Sequence, residues 1–319
     1  MNISRTYLER YAATTGYLPT TLEQVWQLGR IATALSNHPL LQKMLLLKGG
    51  TAFNLCFEEA PTRLSVDLDY NYVGSSERDA MLAARPQVEE IITALLQRLN
   101  FRVQYSGHAF AGRKIYSGYT SVLGPENRVE VDLNYLWRIP LADAEKRDMW
   151  QFGELDRPNV RTVSLVELCI GKLLAFLDRS APRDAWDIGR FSELAGEIIR
   201  MSSFRPLFIA MSATLPHPLY TYTHEHIAAR ITERLIREQL QPMLPANAVP
   251  DRERLVERAW SVAKPFVELA DHELGYVNGI QQGHIDASPL FPDDAILCNR
   301  IATHPAIRWK VANVLRQKE

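Results

Sequence analysis

Two aspartates, Asp67 and Asp69, stand one residue apart inside the apolar run Leu64-Ser65-Val66-Asp67-Leu68-Asp69-Tyr70. In a strand, side chains alternate between faces. Asp67 and Asp69 therefore share one face, and Val66, Leu68 and Tyr70 share the other. Like charges side by side repel, and no packed core favours that arrangement. The pattern restricts the segment to a half-buried strand whose polar face needs a partner of opposite charge. Hard carboxylate oxygens suit Mg²⁺, which typically takes one or two carboxylates together with substrate phosphates. Upstream, Lys48-Gly49-Gly50-Thr51 forms a glycine turn at an expected helix start, where exposed backbone N–H groups can receive an anion. Metal on one side and phosphate on the other describe a nucleotide site.

A third acid lies in Arg128-Val129-Glu130-Val131-Asp132-Leu133-Asn134. Arg128, Glu130, Asp132 and Asn134 share one face, and Val129, Val131, Leu133 and Tyr135 the other. If this strand lies beside 65–73, one of its acids completes a three-carboxylate set for two cations. Such cations lie roughly 3.5–4 Å apart when they clamp the attacking and leaving oxygens of an in-line displacement. Asp132 is preferred to Glu130 as the more deeply embedded in the apolar run.

The remaining pattern is a mixed α/β region followed by helices, in a chain long enough for two domains. We expect a helix over 20–37 with a Thr21/Gln24 capping box, a helix running from the glycine turn to Phe57, and a helix over 77–99 containing Pro86. Strands are expected at 101–106, 113–122 and 128–137, joined through Gly107–Gly112 and Gly124–Asn127. The apolar run Met44–Leu47 fits either a strand or a helix end. Ser164 and Glu167 open a helix to Leu177. Proline-rich loops at 205–218 and 242–250 separate helices at 222–240, 251–270 and 298–316. The domain boundary falls at 190: residues 1–190 form the core and 191–319 an all-helical region.

Within 164–191, Lys172 sits among apolar helix residues. It reads either as a lysine whose stem covers the core or as a cation for a triphosphate. Arg183, Asp184 and Asp187 read either as a salt-bridged helix start or as part of a site. Arg113-Lys114 reads as a phosphate contact or as a basic guard on a sheet edge. His224 and His226, two apart at a helix start, do not face each other and are not read as metal ligands. Arg230, Arg234 and Arg237 align on one expected helix face, and Arg308 and Lys310 loosely with Arg316. These are solvated faces or local contacts for RNA backbone.

Composition narrows the partners. A net charge of −1 excludes a strong overall basic field, so any polynucleotide would be held by local patches. Three widely spaced cysteines, Cys56, Cys169 and Cys298, point to free thiols in a reducing compartment. No apolar run approaches a membrane span. A cytoplasmic protein without membrane attachment is expected.

These motifs resemble the nucleotidyltransferase toxins of the AbiEii/AbiGii family, which includes the mycobacterial MenT proteins, within the polymerase-β-like superfamily. Lys48-Gly49-Gly50-Thr51-Ala52 is similar to the family's Lys-Gly-Gly-Thr-Ala turn. Arg63-Leu64-Ser65-Val66-Asp67-Leu68-Asp69 is similar to its Arg-Phe-Ser-x-Asp-hydrophobic-Asp strand. Lys172 through Asp187 is similar to its Lys-then-Arg-Asp-x-x-Asp helix. The likeness covers about residues 45–190. The family's Lys-aromatic-x-x-Tyr motif is only approximated by Lys114-Ile115-Tyr116.

The resemblance implies an α+β nucleotidyltransferase core, a mixed sheet flanked by helices, with a helical C-terminal region. It implies NMP transfer from an NTP, with Mg²⁺ (or Mn²⁺) as cofactor, to the 3′ end of tRNA, blocking translation. The protein would be the toxin of a type IV-like toxin–antitoxin pair serving phage defence, with an antitoxin partner. Gly49, Gly50, Thr51, Ser65, Lys114 and Arg183 would bind nucleotide. Asp67, Asp69, Lys172 and Asp184 would be catalytic, with metal on Asp67, Asp69 and Asp132. Ser65 matches a serine phosphorylated in some members, where added negative charge beside the acids would inactivate. Rival readings are a small-molecule (antibiotic-type) transferase, a protein nucleotidyltransferase and a catalytically silent binding protein.

Overall fold

A computed structural model describes residues 3–107 and 111–318. The expected loop Gly107–Gly112 lies partly outside these residues. Contacts divide the chain into two compact units: Met1–Ser164 with Gln241–Val249, and Leu165–Leu240 with Pro250–Glu319. The division falls at 164/165 rather than at 190. It coincides with the start of the helix expected to open at Ser164. The chain also returns once to the first unit. There Leu64 N–H donates to Met243 O (2.8 Å) and Ala246 N–H to Gly16 O (2.8 Å).

The first unit is built on a seven-stranded mixed sheet. Its strands are β1 (Leu45–Lys48), β2 (Asp67–Tyr72), β3 (Arg102–Tyr105), β4 (Gly112–Thr120), β5 (Glu126–Asn134), β6 (Glu145–Asp148) and β7 (Asn159–Thr162), in the order β3-β4-β5-β2-β1-β7-β6. The undecided run 44–47 is strand, buried in the middle of the sheet. β2 and β5 are parallel neighbours; β4 runs antiparallel to β5, and β1 antiparallel to β2. The alternation works as read: Leu68, Tyr70, Val129, Val131 and Leu133 are all buried. β6 and β7 were not expected. Glu145-Lys146-Arg147-Asp148 has no apolar residue to alternate, and β7 has only Val160. A short charged edge strand is what protects a sheet from pairing with another chain.

Helices of this unit are α1 (Arg5–Thr15), α2 (Pro19–Asn37), α3 (Leu41–Met44), α4 (Gly49–Cys56) and α5 (Arg78–Arg98). α2 buries Leu22, Val25, Leu28, Ile31 and Leu35, which recur at helical spacing. The capping box is not there. The helix starts at Pro19, with Leu18 rather than Thr21 as N-cap; proline is suited to the first turn because its missing N–H would be unpaired anyway. Thr21 Oγ1 instead donates to Pro242 O at 2.9 Å, and Gln24 Nε2 to Arg128 O at 3.2 Å.

The second unit is helical. It begins with α6 (Leu165–Arg179) and α7 (Pro182–Ile188). The expected loop 205–218 is a helix over Phe204–Met211; Pro206 falls in its first turn, where it breaks no helical hydrogen bond. The expected helix 222–240 is three pieces, His224–Arg230, Glu233–Leu235 and a π turn Ile236–Leu240, broken where Thr232 caps a new start. The expected helix 251–270 spans Arg252–Val267, and a further helix follows at Asp271–Gln282. The last expected helix is split by His304-Pro305 into Ala295–Thr303 and Pro305–Arg316. Among the described residues no helix is long and apolar enough to cross a membrane.

Candidate active site

The glycine turn is required by two independent constraints. Gly49 has φ of +72°, a conformation costly for residues with a Cβ. A Cβ there would also run into the Asp69 carboxylate. The turn is thus shaped around that carboxylate. α4 begins within the turn, at Gly49, with Lys48 as N-cap and no side chain capping the first N–H groups. Unpaired N–H groups at a helix start attract an anion. Thr51 is fully buried and its hydroxyl donates to the Asp67 carbonyl. What Thr51 can offer a phosphate is its backbone, while its side chain pins the turn to β2.

Register assembles the charges. Asp69 lies opposite Asp132 across the parallel β2–β5 pair, and Asp67 opposite Glu130. Lys48 of β1 lies opposite Asp69, and Lys114 of β4 opposite Asp132. One row across four strands therefore reads Lys48, Asp69, Asp132, Lys114. Directly opposed like charges destabilise a sheet, and the flanking lysines offset that cost. Burial and the Asp69 carboxylate push the Asp132 pKa up, against Lys114 and Lys48. Lys114 Nζ sits 2.8 Å from Glu130 Oε2 and 3.7 Å from Asp132 Oδ2. The Glu130 hydrogen bond raises the Lys114 pKa.

Asp132 is not the more embedded of the two acids: its side chain is 40% exposed, against 21% for Glu130. Asp132 is distinguished instead by facing Asp69. Ser65 is buried just before β2, which leaves it without the exposure a modification site needs. Arg63, also buried, donates to the Leu64 carbonyl at 2.9 Å.

The fit of this row to a divalent cation can be tested on its own features. Among the described residues no three His, Cys, Asp or Glu side chains are already gathered as a metal cage. Carboxylates with nothing between them repel, and here lysines flank them. Two features nonetheless suit a hard cation. The donors are all carboxylate oxygens, and the Asp69 carboxylate rests in a cradle that only glycine leaves open. The residues fit the group.

The second unit carries a separate buried charge cluster. α6 projects Lys172, 7% exposed in its side chain, onto Asp187 Oδ2 at 2.6 Å and Asp184 Oδ1 at 3.8 Å. Arg179 grips Asp184 with two hydrogen bonds of 2.6 and 2.9 Å. Two cations and two fully buried carboxylates thus hold α6 against α7. Lys172 is neither the solvated lysine nor simply a stem over the core. Asp187 is its nearest partner, and its i+3 spacing from Asp184 on one helix turn is the signal the sequence offers for the pair. Arg183 lies half-buried on α7.

Other candidates separate. β4 lies between β3 and β5, so Arg113-Lys114 does not guard an edge. Arg113 faces away from the acids, its guanidinium 4.5 Å over the Tyr105 ring and 3.6 Å from Glu89. The arginine stripe at 230–237 does not exist, because the helix breaks at Ile231. Arg230 donates to Asp178 O at 2.7 Å, and Arg234 pairs with Glu238 at 3.1 Å. Lys310 donates to the Leu215 carbonyl at 2.7 Å and is half-buried. His224 pairs with Glu257 at 2.8 Å.

The fold is similar to that of MenT4, a nucleotidyltransferase toxin from Mycobacterium tuberculosis H37Rv, with a TM-score of 0.62 at 17% identity over 99% of each chain. Comparison with curated protein sequences gives no match. The sequence model of the family described as nucleotidyl transferase AbiEii toxin, type IV toxin–antitoxin system, matches residues 31–261, well over half of the chain. With the glycine turn and the carboxylate row in place, this makes the chain a nucleotidyltransferase that belongs to the AbiEii toxin family of type IV toxin–antitoxin systems.

Proposed function

We propose that the chain transfers a nucleoside monophosphate from an NTP to the 3′ end of tRNA, blocking aminoacylation and hence translation. The 3′-hydroxyl oxygen of the acceptor attacks the α-phosphorus and gives up its proton to solvent, the bond from that phosphorus to the bridging oxygen breaks, and pyrophosphate leaves. The observation that carries this reading is the Asp69–Asp132 register beside the Gly49 turn. It brings carboxylates and open N–H groups to one place. The backbone of Gly50 and Thr51 seats phosphate oxygens at the start of α4. Asp67, Asp69 and Asp132 would hold Mg²⁺, or Mn²⁺, which supplies neutralising charge at the phosphates when bound. Lys114, hydrogen-bonded to Glu130, keeps its proton and so its positive charge beside the acids. Lys172, Arg183 and Asp184 keep, as part of this reading, the roles that the family pattern gives them.

An antitoxin protein as partner, a cytoplasmic site of action and a role in phage defence belong to the same proposal. The deciding experiment incubates the protein with each NTP, Mg²⁺ and bulk tRNA, then sequences the 3′ ends. Added nucleotides on tRNA are expected. Label on protein or on small molecules instead, or on nothing, would overturn the acceptor assignment.

A further inference from the structure

The acid face of the sheet continues past the carboxylate row onto β4 and β3. Because register fixes the face, Tyr116 lies opposite Glu130, and Gly118 opposite Arg128. On the outer side Gln104 lies opposite Tyr116, and Arg102 opposite Gly118. The row Arg102, Gly118, Arg128 therefore places two arginines either side of a position with no side chain. Both are well exposed, 64% and 63%. The Arg128 guanidinium lies 4.8 Å from the Tyr116 ring centroid. An aromatic–arginine pair with an exposed guanidinium and a half-buried ring is thus flanked by a second arginine, on the same face as Asp67, Asp69 and Asp132.

The chemistry of this tract is that of a single-stranded nucleic-acid groove, which combines cations along the backbone with an aromatic surface for a base. Its scale also fits. Arg128 is four residues from Asp132 on β5, about 13 Å at strand rise, and β3 is two strands out, about 10 Å. That is the reach of the last few nucleotides of a strand whose end lies at the acids. The bland reading is an exposed sheet surface with ordinary ion pairs, since Arg102 pairs with Glu126, and Arg128 stands 3.6 Å from Glu130. Exposed pairs of this kind are worth little, so phosphates can replace them at small cost. The tract also resolves the balance of charge. A chain with net charge −1 has no basic field to spread over an RNA, but it needs none if only a strand end is held.

We propose that Arg102, Tyr116 and Arg128 form the seat for the single-stranded end of a nucleic-acid acceptor, with the arginines on phosphates and Tyr116 stacked on a base. The proposal deepens the tRNA reading above and rests on it for the identity of the acceptor. The test is binding of a 5′-fluorescein single-stranded RNA oligonucleotide by anisotropy, without NTP or Mg²⁺, across a salt series. Arg102→Gln/Arg128→Gln together should weaken binding at least tenfold and reduce the salt slope by about 1.4, two single-strand contacts. Tyr116→Leu should weaken it about tenfold with the slope kept, and Tyr116→Phe should restore it. Wild-type affinity and slope in all three variants would overturn the proposal, as would loss in Tyr116→Leu that Phe does not rescue. The two readings fail separately. Nucleotide transfer to tRNA that is intact in these variants leaves the function standing and removes the seat. Oligonucleotide binding through these residues without any transfer leaves the seat and removes the acceptor assignment.

Discussion

Asp69 and Asp132 occupy the same register position on neighbouring parallel strands, with a lysine beyond each of them. The arrangement costs stability in the absence of a cation, because the fold holds two like charges together. Burial and Asp69 raise the Asp132 pKa, so the charged form is the disfavoured one. The penalty is full above that raised value and disappears as pH falls below the ordinary carboxylate range. Asp132→Asn should therefore stabilise the metal-free protein at neutral pH by a few tenths to about 1 kcal/mol. It should also abolish the stabilisation that Mg²⁺ gives the wild type. Thermal unfolding with and without Mg²⁺ checks both; a destabilised metal-free variant would show that the pair is not a site of strain.

Gly49→Ala carries two penalties at once. Alanine at positive φ costs about 1–2 kcal/mol, and its methyl group displaces the Asp69 carboxylate. We expect loss of that order in chemical denaturation together with nucleotide transfer reduced by about a hundredfold or more, the scale of removing one preorganised electrostatic group. An Ala variant with wild-type transfer would show that Asp69 need not lie in this cradle.

The glycine turn, the acid strand and the alternating faces of β2 and β5 were legible in sequence because period-2 patterning and glycine chemistry are local. Register is not local. That Asp69 faces Asp132 depends on a parallel pairing between β2 and β5, which are not consecutive in the chain, and no spacing encodes it. Lys48 and Lys114 flank the acids only once the registers of β1 on β2 and of β4 on β5 are set. β6 escaped reading because a charged edge strand has no apolar alternation. The helix at Phe204–Met211 escaped because proline in a first turn looks the same in sequence as proline in a loop. The stripe Arg230, Arg234, Arg237 misled for the opposite reason: its spacing is helical, but Thr232 caps a new start and turns the chain. Lys172 was noticed, but its burial against Asp187 depends on how α6 and α7 pack.

Lys172→Met should lower stability. Removing the cation leaves two fully buried carboxylates with one fewer compensating charge, and breaking a buried pair costs about 3–5 kcal/mol. Asp69→Asn, by contrast, should leave stability near wild type while abolishing transfer. Denaturant unfolding of both variants, read beside their activity, checks the contrast. A Lys172→Met protein as stable as wild type would place that lysine outside the packing of α6 and α7.

Arg205 and Glu273 make the last prediction, in the helical unit. Arg205 Nε and Nη2 donate to the two Glu273 carboxylate oxygens at 2.6 and 2.7 Å. The same carboxylate accepts from Ala270 N–H at 2.8 Å, at the start of the helix Asp271–Gln282. Burial works against the charged form, but the Arg205 and Ala270 hydrogen bonds outweigh it, and the pKa of Glu273 falls below its ordinary value. A depressed carboxylate pKa contributes stability above the unfolded value and loses it as pH drops through the folded one. Glu273→Gln should therefore be less stable than wild type at neutral pH. The difference should shrink on acidification through the carboxylate range and be gone below the depressed value. Denaturant midpoints of both proteins from pH 7 downward measure it. A gap that stays constant with pH would mean that Glu273 acts through packing and its helix-start contact, and that its charge contributes nothing.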